Sequence, residues 1–221
     1  MRDALYTHTK SLHTNCGKKI IRYDWLATKT QSIIVPSCGV DSVPSDVIAH
    51  LASKTLGRAP LGASTTAARM RGGVPGGTIA TFLSECEDVP PNDFAMALAD
   101  WSLSPVLGAP KPPSRLVYYL DGGIVGSISV MGRVNRALVQ RTAGLLERAR
   151  RETPRGRGSG GEAREGDPAC YGPSFTYTEF MQTGGVVSAL LISVGLVVTA
   201  AAFAFIAPVC VLLDIFFLAE W

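Results

Sequence analysis

The sequence predicts a mixed fold of the α/β to α+β class that ends in a hydrophobic helix, and three observations carry the expectation. Residues 32–36 are a short β-branched apolar run, followed by Cys38-Gly39 and a helix that Ser42 can cap. Residues 134–151 place leucines at helical spacing among Arg, Gln and Glu. No residue between Gly184 and Leu213 carries a charge. Strand, glycine turn and helix in that order is an α/β arrangement.

The chain has 221 residues, room for one domain or one and a half. Hydrophobic residues make up 47% and charged residues 18%, with much of the apolar excess at the C-terminus. A formal net charge of +3 is too small, and too little concentrated, to suggest a nucleic-acid binder. The five cysteines (Cys16, Cys38, Cys86, Cys170 and Cys210) are widely spaced and form no C-x-x-C pair. They read as free thiols in a reducing compartment. His8, His13 and His50 form no H-E-x-x-H, so no metal is expected. Residues 1–10 are polar and lack the apolar core of a signal peptide, so secretion is not expected.

The elements follow in order. Residues 1–14 can start on a helix. Residues 15–31 show no sustained period. Residues 32–36 read as a buried strand. In the helix after Ser42, Pro44 suits the first turn, and Ser45 and Asp46 place oxygens near its free N–H groups. Val47, Ile48, Leu51, Ala52 and Leu56 fall on one face, and Gly57 ends it. Strands are expected at 61–71, 116–120 and 175–180, and helices at 78–85, 94–103 and 134–151, the last with Leu138, Leu145 and Leu146 on one side. Residues 105–114 form a proline-rich connector. Residues 152–168, rich in glycine and charge, read as a mobile loop. A helix over 184–213 would reach about 45 Å at 1.5 Å per residue, against a hydrocarbon core of about 30 Å. A membrane-associating, even membrane-spanning, helix is the expectation, with no flanking charge bias to orient it.

Three stretches bear on chemistry. Residues 156–161 match G-x-G-x-x-G by letter, but no strand precedes them and no helix opens after them, so a loop is the reading. The loop Gly72, Gly73, Val74, Pro75, Gly76, Gly77 and Thr78 lacks the lysine of a phosphate-binding Walker loop. Its backbone could cradle an anion, or it could be a tight strand-to-helix connection. The segment Cys38, Gly39, Val40, Asp41, Ser42, Val43, Pro44, Ser45, Asp46 lies past the carboxyl end of an expected strand, where open α/β sheets bind ligands. Plain helix capping is its alternative.

"IIVPSCGVDSVPSD" resembles the segment that leaves the nucleotide-binding domain in saccharopine dehydrogenase-like oxidoreductases, including the trans-acting enoyl reductases, which carry C-G-F-D-S-[IV]-P-S-D. "MRGGVPGGTIAT" resembles their glycine loop, with Pro75 in place of Ser. "YGPSFTYTEFM", beginning at Tyr171 and containing Tyr177, resembles their Y-G-P-x-F-x-Y motif. The three stand in the family's order and cover residues 32–213.

The resemblance implies a remnant of a Rossmann sheet edge over residues 1–57, with an insertion at 15–31. An α+β substrate domain over 58–183 and a hydrophobic segment over 184–213 would follow. It implies an oxidoreductase using NADP or NAD on a lipid-like substrate, in lipid or glycolipid metabolism. It further implies a chain associated with a membrane or lipid droplet and facing the cytoplasm. Cys38, Gly39, Asp41, Ser42, Pro44, Asp46, Gly72, Gly73, Gly76, Gly77, Thr78, Tyr171 and Tyr177 become candidates for the substrate and cofactor cleft; no catalytic residue is singled out. The family's nucleotide-binding fingerprint is missing. The expectation is therefore a fragment that binds the cofactor poorly and is inactive alone, or a non-catalytic interaction protein anchored at a lipid surface.

Overall fold

The computed structural model describes residues 15–35, 37–39, 42–57, 59–69, 99–152 and 171–218, with side chains from residue 22 to residue 202. Its elements are α1 (Asn15–Thr30), α2 (Val43–Thr55), β1 (Ala63–Ala68), β2 (Val117–Leu120), β3 (Ile124–Ile128), α3 (Gly132–Glu152), β4 (Thr176–Thr183) and α4 (Val186–Leu218). The four strands form one mixed sheet in the order β1-β4-β3-β2. The expected helices at 1–14 and 78–85, the glycine loop 72–78 and residues 153–168 lie outside the described residues.

Two compact units divide the chain. The first holds α1, α2, α3, residues 99–112, most of β1 and the first half of β4. Its core is Ala49, Leu61, Trp101, Val139, Ala143, Tyr171, Phe175 and Tyr177. Residues 61–62 run beside 171–176: Leu61 N–H donates to the Tyr171 carbonyl at 2.7 Å, and Thr176 N–H to Gly62 at 3.2 Å. Gly172 turns the chain there at φ 92°, with Pro60 where a side chain would stand. Trp101 adopts φ 60°, rare for a bulky residue. It is held on three sides: its backbone N–H donates to Gln140 Oε1 at 2.9 Å, its indole N–H donates to the Ala109 carbonyl at 2.8 Å, and Gly108 leaves room for the ring.

The second unit holds β2, β3, the end of β4 and α4. β2 and β3 form an antiparallel hairpin through Asp121-Gly122-Gly123, and β3 pairs antiparallel with β4. Gly122 and Gly123 both adopt positive φ, as a tight hairpin requires. Gly126 of β3 lies under the Phe180 ring; a Cβ there would collide with the ring and come within 2.6 Å of the Met181 carbonyl. The ring stacks on Tyr118 at 5.5 Å and 6°. α4 rests on the hairpin through Ala189 and Ser193, both fully buried. Ser193 Oγ accepts from Ile128 N–H at 3.0 Å and donates to the Leu116 carbonyl at 2.5 Å.

Several expectations are met. The strands at 61–71, 116–120 and 175–180, the helix at 134–151 and the helix after Ser42, closed by Gly57 at φ 63°, all form. Others are corrected. Residues 15–31 lack a period because α1 buries no side chain among residues 22–30. Local contacts hold it instead: Thr28 and Thr30 hydroxyls bond carbonyls one turn back, and the Lys29 ammonium sits 4.1 Å from the Trp25 ring centroid. Residues 32–35 are not a buried strand. They pair with no strand, and Ile33, Ile34 and Val35 are 89%, 54% and 66% exposed. A β-branched run becomes a strand only where a neighbour takes its hydrogen bonds. The described part of the helix expected at 94–103 is a pair of turns. On α3, Leu145 is exposed, while Asn135 and Gln140 are buried.

The C-terminal segment is a helix, as expected, but the described residues do not support the transmembrane helix that was expected there. Among the described residues no helix is long and apolar enough to cross a membrane.

Candidate functional site

The described residues bring Ser45, Asp46, Tyr171 and Tyr177 into the interior of the first unit. There they meet two residues that the sequence pattern does not single out, Asn135 and Glu179. α2 turns Ser42, Ser45, Ala49 and Ser53 inward. α3 contributes Asn135, Val139, Gln140 and Thr142. β4 alternates so that Tyr177 and Glu179 share its buried face.

Glu179 is the hub. Its Oε2 accepts from Ser45 Oγ at 2.7 Å, Asn135 Nδ2 at 3.0 Å and Tyr177 OH at 3.2 Å, and its Oε1 accepts from Asn135 Nδ2 at 3.2 Å. A buried carboxyl is tolerable only with such donors around it. Burial pushes the Tyr177 phenol up to about 12, helped by the Glu179 carboxylate and opposed by hydrogen bonds with Ser45 and Thr66.

Beside the hub, Thr142 Oγ1 donates to Asp46 Oδ2 at 2.9 Å. Burial raises the Asp46 carboxyl above the usual range, while Thr142 and then His50 pull it down. Tyr171 is fully buried against Phe175, with ring centroids 4.7 Å apart. Its phenol is pushed well above its ordinary value by burial and then by Asp46. Both tyrosines therefore stay protonated at neutral pH. Asp46 Oδ1, Ser53 Oγ and Tyr171 OH have no hydrogen-bond partner among the described residues.

The remaining candidates do not join this cluster. Ser42 occupies the N-cap position of α2 and is buried, but its side chain makes no capping bond. Pro44 sits in the first turn. Cys38 carries an exposed thiol that donates to the Val35 carbonyl at 3.2 Å. Gly39 accepts at its carbonyl from Ser42 N–H and Val43 N–H, at 3.1 and 3.0 Å. Asp41, Gly72, Gly73, Gly76, Gly77 and Thr78 lie outside the described residues. Two signals could have found Glu179: it is the one acid in β4, and it shares the parity of Tyr177. Asn135 and Thr142 gave none, because their partners come from distant elements.

No family model matches the chain, and no solved structure matches it. Among curated proteins it is 32% identical over 190 residues to a Mycobacterium tuberculosis (strain ATCC 25618 / H37Rv) protein named, by inference, as a trans-acting enoyl reductase. The counterpart from strain CDC 1551 / Oshkosh gives the same figures. The match covers 78% of this chain but 40% of each relative, so the chain spans well under half of their length. Over most of its own length, the chain is a distant relative of the trans-acting enoyl reductases.

Proposed function

We propose that the chain supplies the substrate-side part of an NAD(P)-dependent oxidoreductase of lipid or glycolipid metabolism, of the saccharopine dehydrogenase-like, trans-acting enoyl reductase type, and is inactive by itself. The observation that carries this reading is the 32% identity over 78% of the chain. The buried cluster supports it: protonated phenols beside two carboxyls are groups that can hold a proton for a reduced double bond.

Enoyl reductases typically use NAD(P), and the described residues do not fit that cofactor's pyrophosphate. At the glycine turn leading into α2, the Ser42 and Val43 N–H groups are taken by the Gly39 carbonyl, and Pro44 has no N–H to offer. Asp46 adds a carboxylate to that first turn. These residues therefore support no step through the dinucleotide. The test is titration of the purified chain with NADPH, followed by NADPH oxidation with an enoyl thioester. Neither micromolar binding nor turnover is expected; either one would refute inactivity. Disrupting the coding sequence in its host then tests the wider reading, and an unchanged degree of lipid saturation would count against it.

A second reading, a non-catalytic protein anchored at a membrane or lipid droplet, is favoured by α4. Val187, Leu191, Val197 and Val198 are exposed there, and no charge interrupts the helix before Asp214. Flotation with phospholipid vesicles tests it: the chain should float, and Leu191→Glu should reduce the floating fraction.

A further inference from the structure

α2 is packed with its apolar side outward. At 3.6 residues per turn, Ser45, Ala49 and Ser53 lie on one side of the helix and Val43, Val47, Ile48 and Leu51 on the other. The small and polar side is buried against the Glu179 cluster. The aliphatic side is exposed, by 40% at Val43, 46% at Val47, 51% at Ile48 and 53% at Leu51. A few residues upstream, residues 33–35 expose three more β-branched side chains. The backbone groups of Ile33 and Ile34 make no hydrogen bond among the described residues. An amphipathic helix exposes its aliphatic stripe only at a price in solvation, unless something covers it.

We propose that this outward face of α2, flanked by residues 33–35, is the interface through which two copies of the chain associate. This goes beyond both functional readings. The face is self-complementary. In an antiparallel pair of α2 helices about a two-fold axis level with Ala49, Val47 meets Leu51 of the second copy, and Leu51 meets Val47 of it. The seven side chains expose on the order of several hundred Å², the scale of the roughly 800 Å² that each partner gives to a standard interface. Asp46 and His50 border the stripe and Lys54 falls on it near the end of the helix, whereas α4 carries no charge before Asp214, which makes the face of α2 a poor match for a lipid surface.

The test is sedimentation equilibrium of the full chain at micromolar to tens of micromolar concentration, beside Leu51→Glu, Leu51→Ala and, on α4, Leu191→Glu, with circular dichroism to confirm folding. Position 51 is exposed, so neither substitution there should unfold the chain. The expected result is a reversible dimer, made monomeric by Leu51→Glu, weakened several-fold by Leu51→Ala and unchanged in Leu191→Glu. A monomer throughout would overturn the proposal. So would association abolished by Leu191→Glu but not by Leu51→Glu, which places the contact on α4, or self-association indifferent to every variant. A dimer lost in Leu51→Glu only because that variant unfolds is separated by Leu51→Ala, which must then still weaken it; if it does not, the proposal falls.

Discussion

Glu179 joins three elements through one carboxyl: Ser45 from α2, Asn135 from α3 and Tyr177 within β4. Glu179→Ala leaves these buried donors without their acceptor, and each unmet buried group costs about 1–3 kcal/mol. It should destabilise the chain by roughly 2–4 kcal/mol in urea unfolding. Glu179→Gln, which keeps an acceptor, should cost less. Tyr177 makes a pH-dependent prediction. Its folded value is raised to about 12 from 10.0, so its protonated form is favoured by folding. That contribution is fully present below pH 10 and is lost as pH rises through about 12. Tyr177→Phe should flatten the fall in stability between those limits, while losing about 1 kcal/mol at neutral pH from the missing hydrogen bond. Tyr177 was legible in the sequence through its motif. Its partners were not, because Asn135 is 44 residues from Glu179 and Ser45 is 134 residues from it. Periodicity on one element cannot report a bond to another.

Among the elements, α4 is tied to the hairpin by hydrogen bonds from one serine, which reaches the end of β3 and the residue before β2. Ser193 Oγ satisfies Ile128 N–H and the Leu116 carbonyl at once. Ser193→Val keeps the shape and removes both bonds, leaving two backbone groups unmet. The loss should be about 2 kcal/mol, and a thermal unfolding midpoint should fall by several degrees. The hairpin itself had a readable signal: Asp121-Gly122-Gly123 between two apolar runs marks a tight turn. β3 was nevertheless missed, since Gly126 and Ser127 interrupt its apolar pattern. Gly126 is required by the Phe180 ring above it, a contact with a strand more than fifty residues away.

Across the whole molecule, local stability should differ sharply between elements. α1 buries no side chain among residues 22–30, whereas α3 buries Asn135, Ala137, Val139, Gln140 and Ala143. Hydrogen exchange should therefore be fastest in α1 and slowest in the middle of α3, by several orders of magnitude. Equal protection in the two helices would mean that α1 is covered in solution. The exposed faces of α2 and α4 differ in kind, one bordered by charge and the other free of it, and the association and flotation experiments address them separately.

The sequence by itself determined the places where local chemistry is decisive. Pro44 and Gly57 bound α2, the leucine and arginine spacing made α3, alternation made β4, and an uncharged run made α4. Each follows from residues within a few turns of one another. Tertiary structure alone decided which side of each element is inside. The aliphatic residues of α2 were read as sharing one face, and that face points out, because the serine side of the helix meets the Glu179 cluster. The run at 32–36 was expected to be a strand; its described residues, 32–35, are exposed, because no neighbouring strand takes their hydrogen bonds. Burial and pairing are properties of partners, and the identity of a partner is not written in the segment that needs one.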